Sequence, residues 1–355
     1  MRVLLIKTSS LGDVIHALPA LTDAARALPG IQFDWVVEEG FAEIPAWHPA
    51  VAEVIPVAVR RWRKNLWQTV KTGEWRRFKQ RLRAKPYDLV IDAQGLLKSA
   101  WLTRYTDAPV AGLDKNSARE PLASRFYDQT HAVPRGQHAV ERLRQLFGQA
   151  LGYAVPAGLG DYGLDRARLC STAGDNPPYV LFLHGTTWDS KHWPELYWRQ
   201  LAERMAGLGL QVHLPWGNPV EKARAERIAQ GLEHAVVLPR LNLAGVAQVL
   251  ANAQACVAVD TGIGHLAAAL DVPTLSLFGP TNPGLTGAYG SSQVHLAADY
   301  PACAPCLQKK CTYQPTDEDR RQFDLKREWP VCFTRLNPER VAGRLGTLLL
   351  AKEIN

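Results

Sequence analysis

The sequence predicts an α/β fold of two doubly wound, Rossmann-like domains. Apolar, strand-length runs alternate with helix-patterned segments in both halves of the chain. A stretch rich in Gly and Pro separates the halves, and 355 residues suffice for two cores.

In the first half the strand-like runs are residues 3–7, 33–37, 54–57 and 88–92. Residues 155–178 contain Pro156, Gly158, Gly160, Gly163, Gly174, Pro177 and Pro178 and read as a connector. The rhythm restarts more regularly at 179–183, 211–214, 235–238, 256–259 and 274–278. Leu201, Met205 and Leu208 recur at helical spacing and give the first helix of this half a sheet-facing side. Asn337-Pro338-Glu339 supplies a cap, a helix-starting proline and a first-turn acid, so a last helix is expected at 338–353. The expected division is an N-terminal domain at 1–160, a linker at 161–178, a C-terminal domain at 179–336, and a terminal helix within 337–355 that packs back toward the N-terminal domain. Two parallel sheets so joined would leave a cleft between their C-terminal strand edges, where open α/β sheets bind ligands.

Met1-Arg2 leads straight into the first strand, with neither a signal peptide nor a long apolar run, so a cytoplasmic location is expected. The six cysteines fit reduced thiols. The formal charge of +7 is uneven: residues 60–85 hold eleven Lys or Arg against the single acid Glu74, interleaved with Trp62, Trp67 and Trp75. Such a surface suits phosphates, carboxylates or an anionic membrane face, although charge runs are also found as plain solvated helix faces.

Three turns carry candidate chemistry. Thr8-Ser9-Ser10-Leu11-Gly12-Asp13 follows the first strand and places a carboxylate at a sheet edge, where Asp13 can cap the next helix or take a proton from a bound hydroxyl. The run from Leu183 to Pro194 joins a strand to a helix, with Thr186, Thr187 and Lys191 suited to phosphate oxygens or to ordinary capping. Asp260-Thr261-Gly262-Ile263-Gly264-His265 is a second anion-compatible edge, where Asp260 fits a sugar hydroxyl better than a phosphate; His265 can donate or sit in the core. Asp317-Glu318-Asp319 spells a metal-binding pattern but lies among Arg320 and Arg321, and reads as a solvated loop.

The opening run from Leu5 to Leu21, the run Phe33 to Phe41, Arg60-Arg61-Trp62-Arg63-Lys64, Ile91-Asp92-Ala93-Gln94-Gly95 and Asp260-Thr261-Gly262, in that order, resemble the lipopolysaccharide heptosyltransferases of glycosyltransferase family 9, the heptosyltransferase I group above all. The resemblance implies a two-domain GT-B glycosyltransferase that moves L-glycero-D-manno-heptose from ADP-heptose to the first Kdo of Kdo2-lipid A, with inversion, at the anionic inner face of the inner membrane. It implies Asp13 as general base. Lys191, Thr186 and Thr187 would meet the donor diphosphate, Glu221 the ribose and Leu241 the adenine. Asp260, Thr261, Gly262 and His265 match the donor loop, and Arg60, Arg61, Arg63, Lys64 and Arg119 the acceptor's anions.

Inversion needs one base and a stabilised leaving diphosphate, which cations and helix ends can supply, so no metal or other cofactor is expected to be required. Cys303, Cys306, Cys311 and Cys332 resemble the cysteine pattern of heptosyltransferase II-like members; they could hold zinc or an iron–sulfur cluster, or stand as reduced thiols. Two alternatives stay open: the same donor with an inner-core heptose as acceptor, and a non-catalytic nucleic-acid-binding protein using the basic segment, although no nucleic acid is expected as a partner.

Overall fold

The computed structural model describes residues 1–170, 177–323 and 330–354. It divides into two compact units, Met1–Leu164 and Asp165–Asn355. Part of the expected linker, residues 171–176, lies outside the described residues. Arg166, within that expected linker, donates to the Ala251 carbonyl at 2.8 Å and ties the turn Arg166–Arg168 to the C-terminal unit.

The N-terminal unit holds strands β1 (Arg2–Ile6), β2 (Gln32–Glu38), β3 (Val51–Val57), β4 (Leu89–Asp92), β5 (Val110–Leu113) and β6 (Gln129–His131). Their order is β3-β2-β1-β4-β5-β6, all parallel. Val3, Leu4, Leu5 and Ile6 are fully buried, as a strand covered on both faces requires.

The C-terminal unit repeats the plan with β7 (Tyr179–Leu183), β8 (Gln211–Leu214), β9 (Ala235–Val237), β10 (Ala255–Val259), β11 (Thr274–Phe278) and β12 (Gln293–Ala297). The order β12-β11-β10-β7-β8-β9 is the same topology read from the other side. In each sheet the chain winds outward in one direction from the first strand, then returns to start again beside it. The topological switch points therefore lie between β1 and β4 and between β7 and β10, where ligands of doubly wound sheets bind.

Every strand expected from sequence is present within a few residues. Three were not foreseen: β5 and β6, which are short and rich in polar or small residues, and the half-exposed β12. Leu201 and Met205 face the core, but Leu208 lies beyond the end of the helix Glu195–Ala206 and is 57% exposed. The closing helix Pro338–Ile354 buries Val341 and Leu345 in the core of its own unit, and that core is what anchors it. Among the described residues no helix is long and apolar enough to cross a membrane.

Candidate active site

At the first switch point the loop after β1 is held from β4. Gln94 Oε1 accepts the backbone N–H groups of Thr8 (3.0 Å) and Ser9 (3.2 Å). Gln94 itself follows Asp92, a fully buried carboxylate that accepts from Tyr127 Oη (2.8 Å), Ser99 Oγ (2.9 Å) and the Gln94 N–H (2.9 Å). Burial raises the Asp92 pKa against those hydrogen bonds. Tyr127 reaches it across Gly112, where any Cβ would stand 2.4 Å from the ring.

Asp13 sits in the first turn of the helix Leu11–Ile15. Its Oδ2 accepts the N–H of Ser10 at 2.7 Å and the Ser10 hydroxyl at 3.1 Å, which is half of a capping box. Oδ1 takes no hydrogen bond among the described residues. The capping contact read from sequence thus uses one oxygen of the carboxylate and leaves the other open.

Cations surround this group. Lys7, buried, donates from Nζ to the Ala93 carbonyl at 2.9 Å; burial lowers its pKa, while Asp13 and Asp92 pull it back up. Arg119, exposed, lies within electrostatic reach of the same ammonium. Lys98 Nζ donates to Ser9 Oγ at 2.9 Å, and its pKa is lowered chiefly by desolvation and then by Arg60. Lys7 and Lys98 carry no assignment from sequence, because a lysine in a strand or helix has no motif to mark it.

The basic segment is more structured than its composition suggests. Glu38 Oε1 accepts the Arg60 N–H at 2.8 Å and anchors the short helix Val59–Trp62. Arg60 lies over the Phe41 ring, 5.5 Å from its centroid. Arg61 is forked between Glu39 and Glu74 at 2.8–3.1 Å, so it is spoken for by carboxylates, whereas Arg63 and Lys64 are exposed. Trp62 is buried and Trp75 packs edge-on to it at 5.4 Å, so of the three interleaved tryptophans only Trp67 is a surface group.

At the second switch point Lys191 Nζ stands 2.6 Å from Asp260 Oδ2 and 4.3 Å over the Trp188 ring. Thr281, not foreseen, donates to the same Asp260 oxygen at 2.7 Å, and Thr186 Oγ1 donates to the Asp260 carbonyl at 3.0 Å. Thr187 is exposed. Asp260 and Thr261 lead into the helix Gly262–Ala269, in which His265 is buried. Ser190 anchors the Lys191 turn, its N–H donating to the Lys309 carbonyl at 3.2 Å and its hydroxyl to the Gln308 carbonyl at 2.5 Å.

Glu221 is positioned from β7 as well as from its own helix, Pro219–Ala229. Its Oε2 accepts the Gly217 N–H at 2.7 Å, and its backbone N–H is capped by Asn218 at 3.0 Å. A Cβ at Gly185 would stand 2.9 Å from the Glu221 carboxyl carbon, so only glycine lets the loop after β7 approach it. Leu241, half-buried, precedes the helix Leu243–Asn252.

The cysteine segment and the acidic triplet lie apart from these loops in sequence. Cys303 and Cys311 are exposed, Cys306 is half-buried, and Cys332 is buried, which pushes its thiol up to about 12. Among the described residues no group of three or more His, Cys, Asp or Glu side chains is placed to hold a metal ion. The triplet is not the solvated loop expected: it starts the helix Asp317–Phe323, and Asp319 is buried, accepting from Tyr300, from Tyr313 Oη (2.9 Å) and from the Thr316 N–H (2.7 Å).

Residues 75–317 match the model of glycosyltransferase family 9 (heptosyltransferase). The chain is 75% identical over 354 residues, 99% of each chain, to lipopolysaccharide heptosyltransferase 1 of Pseudomonas aeruginosa. It is similar to the Escherichia coli heptosyltransferase WaaC solved with ADP, with a TM-score of 0.80 at 54% identity, over 83% of this chain and 92% of that one. The E. coli WaaC structure with ADP-2-deoxy-2-fluoro heptose matches with a TM-score of 0.78 at 52% identity, over 84% and 93%. Two α/β units with 3-2-1-4-5-6 parallel sheets, and this likeness along nearly the whole length, place the chain in glycosyltransferase family 9, the heptosyltransferases.

Proposed function

We propose that this enzyme transfers L-glycero-D-manno-heptose from ADP-heptose to the first Kdo of Kdo2-lipid A, with inversion at the anomeric carbon. The observation that carries the reading is Asp13: one carboxylate oxygen is fixed by Ser10 while the other is open, with Lys7, Lys98 and Arg119 close by. A base fixed in this way can take the proton of an acceptor hydroxyl as that oxygen attacks. The surrounding cations suit an acceptor bearing carboxylates and phosphates, with Arg60, Arg63, Lys64 and Arg119 exposed and outside the carboxylate fork that holds Arg61. Arg61 acts from within its carboxylate fork and orients the segment.

The donor belongs to the second switch point. Lys191, the end of the helix Gly262–Ala269 and the hydroxyls of Thr186 and Thr187 stabilise the charge that grows on the departing ADP. Asp260, Thr261, Gly262 and His265 line the donor loop, Glu221 holds the ribose and Leu241 flanks the base. No step calls for a divalent metal, and the cysteine segment takes no part in the transfer. The enzyme works as a peripheral protein at the cytoplasmic face of the inner membrane, where this acceptor is presented.

The test is turnover by the purified enzyme with ADP-heptose and either Kdo2-lipid A or its heptosylated product, followed by ADP release and product mass. Transfer to Kdo2-lipid A, unchanged by chelator, is expected. Transfer only to the heptosylated product moves the acceptor to an inner-core heptose; polyanion binding with a steep salt slope and no transfer would return the basic segment to nucleic acid.

A further inference from the structure

We propose that the N-terminal unit seats itself on an anionic phospholipid bilayer through the helix Leu66–Lys71, with a phospholipid acyl chain entering the apolar cavity behind that helix. This deepens the reading above and rests on it only in supposing a membrane-borne acceptor.

The cavity has a volume of about 370 Å³ and is lined by Val59, Trp62, Thr69, Val70, Trp75 and Trp101. Lys98 also borders it, but its ammonium is engaged by Ser9 Oγ at 2.9 Å, so the part it offers the cavity is its methylene stem. The wall is thus almost wholly hydrocarbon and aromatic. Two of the lining residues are largely open to solvent, Val70 at 73% and Trp101 at 47%, and Trp67, on the same helix as Val70, is 74% exposed in a segment that is otherwise strongly cationic.

Charge complementarity selects the occupant. Two of the exposed rings carry a cation of their own: Lys71 Nζ lies 5.0 Å from the Trp67 centroid and Arg104 Cζ 4.9 Å from that of Trp101. Arg63 borders the cavity and Lys64 is exposed beside it. The only acid of the 60–85 segment, Glu74, is consumed by Arg61 and by the Trp62 indole N–H. A ring at headgroup depth, a cation at phosphate height and an apolar slot beneath are what an anionic bilayer meets favourably. A nucleic acid would use the cations and leave the hydrocarbon slot unfilled.

Sedimentation with vesicles of phosphatidylethanolamine and phosphatidylglycerol, without either substrate, tests the seat. Tryptophan quenching by phosphatidylglycerol brominated along its acyl chains tests the cavity. The enzyme is expected to pellet with these vesicles and not with phosphatidylcholine, and to be quenched. Val70→Asp is expected to weaken pelleting by about tenfold or more, since it sets a charge where an apolar group is buried. Trp101→Phe is expected to lose part of the quenching. Both positions are exposed enough to keep the fold, and turnover of a deacylated, water-soluble acceptor is expected to be unchanged in both variants.

Equal pelleting of Val70→Asp and the unaltered enzyme overturns the proposal. So does pelleting with no quenching, which leaves surface attraction alone. Two results reassign the cavity: concentration-dependent dimers abolished by Val70→Asp without any vesicle binding give it to a second copy, and a raised KM confined to acylated acceptor, with pelleting intact, gives it to the acceptor's own chain. Absence of turnover with every acceptor overturns the enzymatic reading while leaving the vesicle result to stand on its own.

Discussion

Lys191 Nζ is held 2.6 Å from Asp260 Oδ2, so the lysine proposed for the donor diphosphate is paired with the carboxylate proposed for the donor loop. Thr281 donates to that same oxygen at 2.7 Å and helps fix the carboxylate's orientation. The pair prepositions the cation and limits its freedom before ADP arrives. Lys191→Ala is expected to weaken ADP binding by about ten- to a hundredfold, the range of a lost charged hydrogen bond. Calorimetric titration with ADP checks it, and affinity within twofold of the unaltered enzyme would remove Lys191 from the diphosphate.

The capping contact of Asp13 and the role of base proposed for it can be separated by substitution. Asp13→Asn keeps an oxygen for the Ser10 N–H and hydroxyl but loses the base, whereas Asp13→Ala loses both. Turnover is expected to fall by about 10² to 10⁴ in each. Only Asp13→Ala is expected to lower stability, by about 0.5–2 kcal/mol. Rate measurement beside urea unfolding decides, and an Asn variant with near-normal kcat would sink the catalytic assignment.

Gly185 is the second-half counterpart of this economy. Gly185→Ala puts a methyl 2.9 Å from the Glu221 carboxyl carbon, and the flexible carboxyl, not the strand, is what yields. Unfolding is therefore expected to be nearly unchanged, while KM for ADP-heptose rises several-fold with kcat little altered. The split between KM and kcat is the readout: a matched fall in both kcat and stability would show that the loop, not Glu221, has been disturbed.

The strands flanking both switch points were legible because parallel strands buried on both faces must be near-continuous apolar runs: residues 3–6 and 179–183 can hardly be anything else. The edge strands Gln129–His131 and Gln293–Ala297 were not, since an edge needs no such run. The candidate site was legible where glycine, hydroxyl and carboxylate cluster after a strand, as at Asp13 and Asp260. Lys98, Thr281 and the carboxylate fork on Arg61 were hidden because each depends on a partner 13 to 89 residues away, a distance set by topology. The tryptophans of the basic segment misled for the reverse reason: Trp62 and Trp75 alternate with arginines in sequence, yet pack with Phe78 into the core, at 5.8 and 5.7 Å.

His48 makes acid stability predictable in the N-terminal unit. Its Nδ1 accepts the Ala50 N–H at 3.1 Å, so the neutral ring carries its proton on Nε2, 2.9 Å from Thr22 Oγ1. Protonating Nδ1 breaks the first bond and places a cation among buried groups; burial accordingly lowers the pKa to about 4. His184, buried, and His192, half-buried, are lowered to about 4 in the C-terminal unit. Because the unfolded chain binds these protons near pH 6.5 and the folded chain does not, stability is full above that pH. It is lost as pH falls from about 6.5 to about 4. His48 alone is worth roughly 3 kcal/mol across this window. Urea unfolding between pH 7.5 and pH 4.5 is expected to show this slope, and His48→Gln is expected to flatten it while lowering stability at pH 7.5. An unchanged slope in that variant would mean that His48 binds its proton equally in the folded and the unfolded chain.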